Sequence, residues 1–346
     1  MRLCERIVNQ QGNQKIMINN QIKSSILIVS KSKKISAIDL IQGAWGGYGQ
    51  ILRISVVGGK TNSVILKLVN TPQPKEHPKG WNTNRSHQRK LTSYQVESHW
   101  YQYYGQFHHQ QCHIPYCLLS KRDKGQQLLL LEDLHEHGFP RVKTDCSLAE
   151  AKTCLSWLAK FHLLHMHREP KGLWETGSYW HLATRPDELD NLQDIQLKAA
   201  ASKIDQILSA CPYQTLIHGD AKLANFCFSE DGQQVAAVDF QYVGRGCGMK
   251  DVILFISSAV KPEHCEQHAP LLVDHYFKAL KQAAENTGVD AEQLENAWRP
   301  LYAIAWADFQ RFVKGWSPDH WKINDYTESL TQQALGEIDA LLNNAT

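Results

Sequence analysis

The chain has 346 residues, 42% of them hydrophobic, so it is long enough to bury a sizeable core and to form two lobes rather than one. Its 37 basic and 35 acidic side chains leave a formal charge of +2, which gives no global attraction to nucleic acid or to a membrane surface. Nine cysteines without a repeating spacing favour a reducing compartment over a disulfide framework. Residues 1–34 are largely polar, and no apolar run there resembles a signal peptide or could span a bilayer, so we expect a polar extension and a soluble, cytoplasmic protein.

The first structured part of the chain is predicted to be rich in strands. β-Branched runs at 51–57 and 64–69 flank a glycine-rich turn, which predicts a hairpin. A helix is predicted over residues 91–104, because Tyr94, Glu97 and Tyr101 fall on one helical face, and four leucines at 128–131 indicate a buried strand. We interpret residues 35–131 as a small β-rich lobe.

The remainder, residues 132–346, is predicted to be a larger and mainly helical lobe. Ser147 and Glu150 have the spacing of a capping box at the start of a helix. Further helical stretches are predicted at 186–210, 270–285, 290–314 and 325–342. A strand-rich island at 216–243 interrupts them.

The strand-rich island carries the candidate chemistry. Two short apolar strands each end near an aspartate, Asp220 and Asp239, and Lys222 and Asn225 follow the first of them. Transfer of the γ-phosphoryl group of ATP needs a carboxylate that receives a hydroxyl proton and oxygen ligands for Mg²⁺. The pattern Asp-x-Lys-x-x-Asn followed by Asp-Phe matches the layout of kinase catalytic loops. It therefore predicts Asp220 as the base, Lys222 facing the transferred phosphate, and Asn225 and Asp239 as magnesium ligands. Two strand-end aspartates that merely cap turns are the simpler alternative, which the combined pattern disfavours.

The sequence His218-Gly219-Asp220, with Asn225 five residues after the aspartate and Asp239-Phe240 further on, resembles the aminoglycoside phosphotransferase and choline kinase superfamily. The resemblance is narrower to its ecdysteroid-kinase-like branch and extends over residues 41–325. It implies an α+β, protein-kinase-like fold of two lobes with ATP in the cleft. It also implies that residues 158–162 form the helix preceding the loop, that Asp251 opens the next helix, and that His218 is a scaffold rather than a proton carrier.

Residues that would bind ATP are predicted in the first lobe. Lys67 lies within an apolar strand and Glu97 on the inward face of a helix, and each would be costly to bury without a partner, so we expect them to pair and to orient the phosphates. The alternative is that Lys67 lies on an edge strand and reaches water. Gly46, Gly47 and Gly49 are predicted to cover the phosphates. Residues 131–134, through the backbone of Glu132 and Leu134, are predicted to bind adenine.

The acceptor is expected to be a small molecule. Only a short segment separates Asp239 from the helix at Asp251, and no Ala-Pro-Glu sequence occurs, so we expect no peptide substrate. Aromatic residues of the C-terminal helices either form a core stripe or line an acceptor pocket; they are Trp298, Tyr302, Trp306, Phe309, Phe312, Trp316 and Trp321. Asp308, Asp319 and Asp325 would favour a cationic acceptor or simply belong to a mixed helical surface. Aminoglycoside, choline-like amine, sugar and sterol-like alcohol all stay open.

These observations predict an ATP- and Mg²⁺-dependent kinase that acts on a hydroxyl of a small molecule, without nucleic-acid or membrane partners. One alternative is a catalytically silent nucleotide-binding module with the same fold. A metal-dependent phosphoesterase is a third, although it would require a second carboxylate-rich cluster.

Overall fold

The computed structural model describes residues 18–43, 48–70, 84–105, 112–123, 125–285 and 287–344. The chain forms two compact units, the first from Met1–Pro72 with Cys117–Glu136 and the second from Gln73–Tyr116 with His137–Thr346. Each unit is thus assembled from two separate stretches of sequence. No helix in the described ranges combines the length and the hydropathy needed to cross a membrane.

The first unit is an antiparallel sheet with one helix. Its elements are α1 (Asn20–Ser30), β1 (Lys34–Gly43), β2 (Gly49–Val57), β3 (Ser63–Asn70), β4 (Cys117–Asp123) and β5 (Gln126–Glu132). The strand order is β1-β2-β3-β5-β4, and every neighbouring pair is antiparallel. The predicted hairpin and the predicted buried strand are confirmed as β2–β3 and β5.

Helix α1 corrects the expectation that residues 1–34 form a polar extension. Ile22 and Ile26 are four residues apart and therefore lie on one helical face, and both are buried against the sheet beside Leu52, Leu66 and Leu130. The side chain of Asn19 accepts the Ile22 N–H and so begins the helix. Residues 20–30 are consequently part of the first unit's core.

The second unit is mainly helical. Its helices are α2 (Asn84–Tyr103), α3 (Leu148–Leu164), α4 (Pro186–Asn191), α5 (Ile195–Ala210), α6 (Met249–Ala259), α7 (Cys265–Ala284), α8 (Ala291–Trp298), α9 (Leu301–Trp316) and α10 (Asp325–Asn344). The capping box of Ser147 and Glu150 begins α3 as predicted. The helical stretches predicted at 186–210 and 290–314 are each divided in two. Pro300 precedes α9, where its missing N–H costs nothing, and Asp194 caps α5.

Helix α2 belongs to the second unit, whereas the sequence placed it in the lobe of residues 35–131. Trp100 stacks on Phe240 with the ring centroids 4.7 Å apart, and Tyr101 contacts the same ring edge-on at 5.8 Å. Near the other end of the helix, Lys90 donates to the Gln241 side chain at 2.9 Å. The helix is therefore fixed to the segment that follows Asp239, and the predicted boundary at 131 and 132 differs from the division observed.

Short strands in the second unit position its loops. They are β6 (Arg141–Val142), β7 (Thr215–Ile217), β8 (Phe226–Phe228), β9 (Val235–Ala237) and β10 (Gly244–Gly246). β8 and β9 form an antiparallel hairpin in which Phe226 lies opposite Ala237. Because that register continues by one step, Asn225 lies opposite Val238, and the Val238 N–H donates to the Asn225 carbonyl at 3.0 Å. The residues before β8 and after β9 therefore meet at the open end of the hairpin.

Candidate active site

The loop that follows β7 has its backbone fixed by a buried aspartate. Asp251 accepts the His218 N–H at 2.6 Å and the Gly219 N–H at 2.9 Å, and it contacts His162 Nε2 at 3.1 Å. Gly219 has a φ of +75°, and a Cβ atom there would lie 2.1 Å from the Tyr242 carbonyl oxygen. Only glycine fits this position without strain, which explains the middle residue of the His-Gly-Asp sequence.

His218 is engaged through both ring nitrogens. Its Nε2 lies 3.0 Å from the Val238 carbonyl oxygen, to which it donates, and its Nδ1 accepts the Asp220 N–H at 3.3 Å. The ring also packs on Phe240 at 4.5 Å. Since both nitrogens bond to backbone groups, the geometry suits a scaffold for the loop.

Asp220 carries two side-chain partners on one carboxylate oxygen. Its Oδ2 accepts from Lys222 Nζ at 2.9 Å and from Asn225 Nδ2 at 3.2 Å, and Asn225 Nδ2 also donates to the Asp220 carbonyl at 2.8 Å. The Asp220 side chain is 10% exposed, whereas that of Lys222 is 42% exposed. The negative charge of Asp220, followed by that of Asp239, raises the pKa of Lys222. The Asp220 carboxylate is thus largely shielded from solvent, whereas the Lys222 side chain is open to it.

Asp239 follows β9 and adopts a left-handed backbone conformation with a φ of +69°. Gln241 Nε2 donates to Asp239 Oδ1 at 2.6 Å, and Gln241 Oε1 accepts from Lys90 and from Ser93 on α2. The hairpin register places Asn225 beside Val238, next to Asp239. The structure thus brings together the four predicted residues Asp220, Lys222, Asn225 and Asp239.

Asn225 and Asp239 offer the ligand atoms that Mg²⁺ prefers. Asn225 uses Nδ2 for its bonds to Asp220, and in the described part of the chain no donor approaches its Oδ1. An amide oxygen beside a carboxylate fits a hard divalent cation, which usually takes its remaining ligands from phosphates and water. The described residues contain no group of three or more His, Cys, Asp or Glu side chains arranged around a metal, so the pair would depend on such outside ligands.

Lys67 lies in the middle of the first unit's sheet. β3 has β2 on one side and β5 on the other, with Lys67 opposite Ile51 and Leu129, so the alternative of an edge strand is wrong. Its side chain points away from α1 and is 7% exposed. Glu97 is buried on α2 in the second unit. Their pairing stays a prediction.

The other residues predicted to bind ATP have different outcomes. Gly46 and Gly47 lie outside the described residues. Gly49 begins β2, and a Cβ atom there would lie 2.0 Å from the Leu68 carbonyl oxygen, so strand pairing alone requires this glycine. Glu132 ends β5 half-buried, and Leu134 is buried at the start of a 3₁₀ helix. Contact of these residues with ATP stays a prediction.

The sequence did not indicate two tyrosines that border Asp220. Tyr179 and Tyr242 lie with ring centroids 6.0 Å apart, and burial raises the pKa of each hydroxyl. The charge of Asp220 contributes to both shifts, and the positive charge of Arg185 opposes both. Single aromatic residues far apart in the chain have no spacing that would have identified them. Gln241, which orients Asp239, was missed for the same reason.

The aromatic residues of the C-terminal helices mostly form core. Trp298, Trp306, Phe309 and Phe312 are buried, as the core interpretation predicts. Asp308 is also buried, between Lys250 at 3.1 Å and Arg311 at 2.7 Å. It is therefore not available to a cationic acceptor. Asp319 and Asp325 are exposed.

Comparisons with known proteins give a family and a fold. The Ecdysteroid kinase-like family profile matches residues 48–172 and 177–289. A comparison with curated proteins gave no match. Among solved structures, an amicoumacin kinase in complex with AMP-PNP, Ca²⁺ and Ami has a TM-score of 0.51 at 12% identity, covering 93% of this chain and 96% of its own.

Two further structures are similar at lower scores. A choline kinase from Streptococcus pneumoniae has a TM-score of 0.46 at 13% identity, with 92% of this chain and 98% of that chain covered. An aminoglycoside-3'-phosphotransferase of type VIII has a TM-score of 0.45 at 12% identity, with 85% and 100% covered. The β-rich first unit and the helical second unit have the predicted protein-kinase-like fold. The chain belongs to the ecdysteroid kinase-like family.

Proposed function

We propose that this protein is an ATP- and Mg²⁺-dependent phosphotransferase that acts on a hydroxyl group of a small molecule. The observation that carries the proposal is the arrangement around Asp220, whose carboxylate is held by Lys222 and Asn225 while Asn225 and Asp239 meet at the open end of one hairpin. Family membership supports it. A similar fold in a kinase that was solved with AMP-PNP and Ca²⁺ is consistent with it.

Asp220 is the proposed base. Its carboxylate accepts the proton of the acceptor hydroxyl as that oxygen forms a bond to the γ-phosphorus of ATP. The bond between the γ-phosphorus and the bridging oxygen breaks, and ADP leaves with the electron pair. Asn225 aims the carboxylate through its bonds to Asp220, and Asp251 holds the backbone of the loop through the amides of His218 and Gly219.

Lys222 and the pair of Asn225 and Asp239 are proposed to act on the phosphate side. Bound Mg²⁺ would neutralise negative charge on the phosphate oxygens. Asn225 Oδ1 and the Asp239 carboxylate would hold it, and Gln241 keeps Asp239 in place by its 2.6 Å hydrogen bond. Lys222 exchanges its partner Asp220 for a phosphate oxygen, which its exposed side chain permits.

A small acceptor is favoured by the short connection after Asp239. Only residues 240–248 precede α6, and three of them form β10, which pairs with β7. A chain of that length, held in a strand, offers no long segment for docking a peptide. We therefore propose a small-molecule alcohol as the acceptor.

The test is a transfer assay with γ-³²P-labelled ATP, with Mg²⁺ or with a chelator, against a hexose, an aminoglycoside, choline and a sterol alcohol. We expect Mg²⁺-dependent formation of a labelled product with at least one of these classes, together with ADP. Thermal stabilisation by Mg²⁺-ATP without transfer to any hydroxyl would instead indicate a silent nucleotide-binding module. Hydrolysis of p-nitrophenyl phosphate in the absence of ATP would indicate a phosphoesterase. Either result contradicts the proposal.

A further inference from the structure

One lysine, in the connection between α9 and α10, reaches the end of α6 that contacts the Asp220 loop. Lys322 Nζ donates to the Ser257 hydroxyl near the end of α6 at 2.9 Å. The next residue, Ser258, accepts the Leu223 N–H at 2.8 Å, in the turn that follows Lys222. Consecutive serines of α6 thus contact Lys322 and the loop of Asp220. The charges of Asp220 and Lys222 are close enough to act on the Lys322 ammonium.

The backbone and stem of Lys322 are fixed by several contacts. Its carbonyl accepts from Gln310 Nε2 and from the Thr327 hydroxyl, each at 3.0 Å, and its N–H donates to His320 Nδ1 at 3.1 Å. The ammonium also lies 5.3 Å from the Phe309 ring centroid. A surface lysine that served only solubility would not need this support. The contacts hold the ammonium in one place before any substrate arrives.

Lys314, in the last turn of α9, shows what a structural lysine looks like in this region. Its ammonium forms ion pairs with Asp194 and Glu328, each at 2.9 Å, and these partners raise its pKa despite burial. Lys322 differs, because within the described ranges its hydrogen-bond partner is the neutral Ser257 and no carboxylate lies at ion-pair distance. Burial lowers the pKa of Lys322 to about 8, although the charge of Asp220 opposes that shift.

A half-buried ammonium without its own acid is unfavourable for folding. It is well suited to bind an oxygen atom that becomes negatively charged, because little water shields the two groups from each other. Among the described residues, Asp220, the proposed base, is the charge that attracts the Lys322 ammonium. A group that binds beside Asp220 would therefore meet the Lys322 ammonium.

We propose that Lys322 is a catalytic residue of the acceptor side, whose ammonium binds the acceptor hydroxyl oxygen beside Asp220 and stabilises the charge that reaches this oxygen during transfer. The inference rests on the proposed function. The hydroxyl proton goes to the Asp220 carboxylate, the acceptor oxygen forms its bond to the γ-phosphorus, and the bond to the ADP oxygen breaks. Lys322 keeps its proton throughout and contributes through its positive charge.

The experiment compares Lys322→Met, Lys322→Gln and Lys322→Arg with the wild type and with the matched control Lys314→Met. Phosphoryl transfer from Mg²⁺-ATP is measured to water and to the four acceptor classes named above. We expect the Met and Gln variants to lower kcat by about 10²-fold, the usual effect of losing one donor at a developing charge. The KM for ATP should stay unchanged, and Arg should restore part of kcat. Lys314→Met should lose stability and retain kcat, because its partners are structural.

The pH profile supplies a readout that a structural role would not move. Among the residues that the structure describes, the charged and titratable groups around Lys322 are Asp220 and Lys222 on the loop and His320 on its own segment. Loss of the ammonium proton should reduce wild-type turnover above about pH 8, and Lys322→Arg should move that decline to higher pH.

Three results would overturn the assignment. If the Gln variant keeps kcat within about twofold of the wild type, Lys322 does not act on the reacting oxygen. If Lys314→Met loses kcat to the same extent, the effect is structural. If the wild type transfers phosphate to neither water nor any acceptor, the proposed function fails, and the role of Lys322 fails with it. The first two results require an active wild type, so they count against Lys322 alone.

Discussion

Two aspartate–lysine pairs of the helical unit make an informative contrast. In the pair of Asp308 and Lys250, the side chains are 1% and 2% exposed and 3.1 Å apart, and the carboxylate also accepts from Arg311 and from Trp180 Nε1. In the pair of Asp220 and Lys222, the distance is 2.9 Å but the lysine is 42% exposed. All partners of the first pair belong to the protein, and the pair connects α6, which carries Lys250, to α9, which carries Asp308. The lysine of the second pair is open to solvent, and under the proposed function it exchanges its partner when a substrate binds.

The contrast explains why one aspartate is structural and the other is a candidate base. Burial alone would raise the pKa of Asp308, but the charges of Lys250 and Arg311 hold it well below its ordinary value. That carboxylate stays ionised and cannot exchange protons near neutral pH. Asp220 meets one exposed ammonium and one amide, so a hydroxyl group can reach it once Lys222 turns to a phosphate.

The largest effect is expected when the buried pair is broken. Asp308→Asn leaves Lys250 and Arg311 buried without their counter-charge, which should lower the free energy of unfolding by about 3 to 5 kcal/mol. Urea unfolding measures this loss. The exposed Asp319→Asn is the control and should change stability by less than about 0.5 kcal/mol. A loss of less than about 1 kcal/mol in Asp308→Asn would show that the buried pair is not the structural contact proposed here.

Gly219→Ala should disturb the pair of Asp220 and Lys222, because it changes the backbone directly before Asp220. The left-handed φ costs about 1 to 2 kcal/mol for a residue with a Cβ, and the contact with the Tyr242 carbonyl adds to it. Stability and turnover should both fall, because the backbone of Asp220 is displaced. Gly336→Ala in α10 is the control, since a Cβ there meets no atom within 4 Å and should leave stability equal or higher. Full activity of Gly219→Ala would show that the tight turn is dispensable.

Gln241→Ala should weaken the proposed binding of Mg²⁺ by Asp239. Without the hydrogen bond to Asp239 Oδ1, the Mg²⁺ concentration for half-maximal transfer should rise about tenfold, as for other residues that orient metal ligands. A magnesium titration of activity measures the shift. Gln233→Ala, in the exposed turn of the hairpin, should not change it. Equal Mg²⁺ requirements for the two variants would show that Gln241 does not orient a metal ligand.

The smallest effect concerns acid stability. The pKa of Asp308 in the folded state lies below its unfolded value of about 3.9, so its stabilisation is present above that pH and is lost as the pH falls further. The wild type should therefore lose up to about 1.4 kcal/mol per pH unit below pH 4 through this carboxylate. Asp308→Asn should lack that component. Parallel acid profiles for the two proteins would contradict the assigned pKa direction.

Local patterns predicted much of the fold. The β2–β3 hairpin, the buried strand β5 and the capping box of α3 each depend on neighbouring residues, and each is confirmed. Helix α1 was missed because its apolar run, Ile26 to Val29, is short and follows a polar segment. The assignment of α2 to the second unit depends on Trp100 packing against Phe240, a contact between distant residues that no spacing encodes.

The candidate site shows the same limit. Asp220, Lys222, Asn225 and Asp239 were identified because they lie within one short island of sequence. Lys322, which we propose as a further member, lies in a distant connection, and Gln241 contacts Asp239 in an orientation that only the fold defines. Sequence reasoning thus identified the proposed chemistry but missed the groups that support it.

The central claim is that Asp220 is the base, and the most direct measurement is the turnover of Asp220→Asn with Mg²⁺-ATP and the best acceptor of the panel. We predict that kcat falls by about 10²-fold or more, while the thermal shift caused by Mg²⁺-ATP and the unfolding midpoint stay close to those of the wild type. Unchanged phosphorylation by Asp220→Asn would contradict the account.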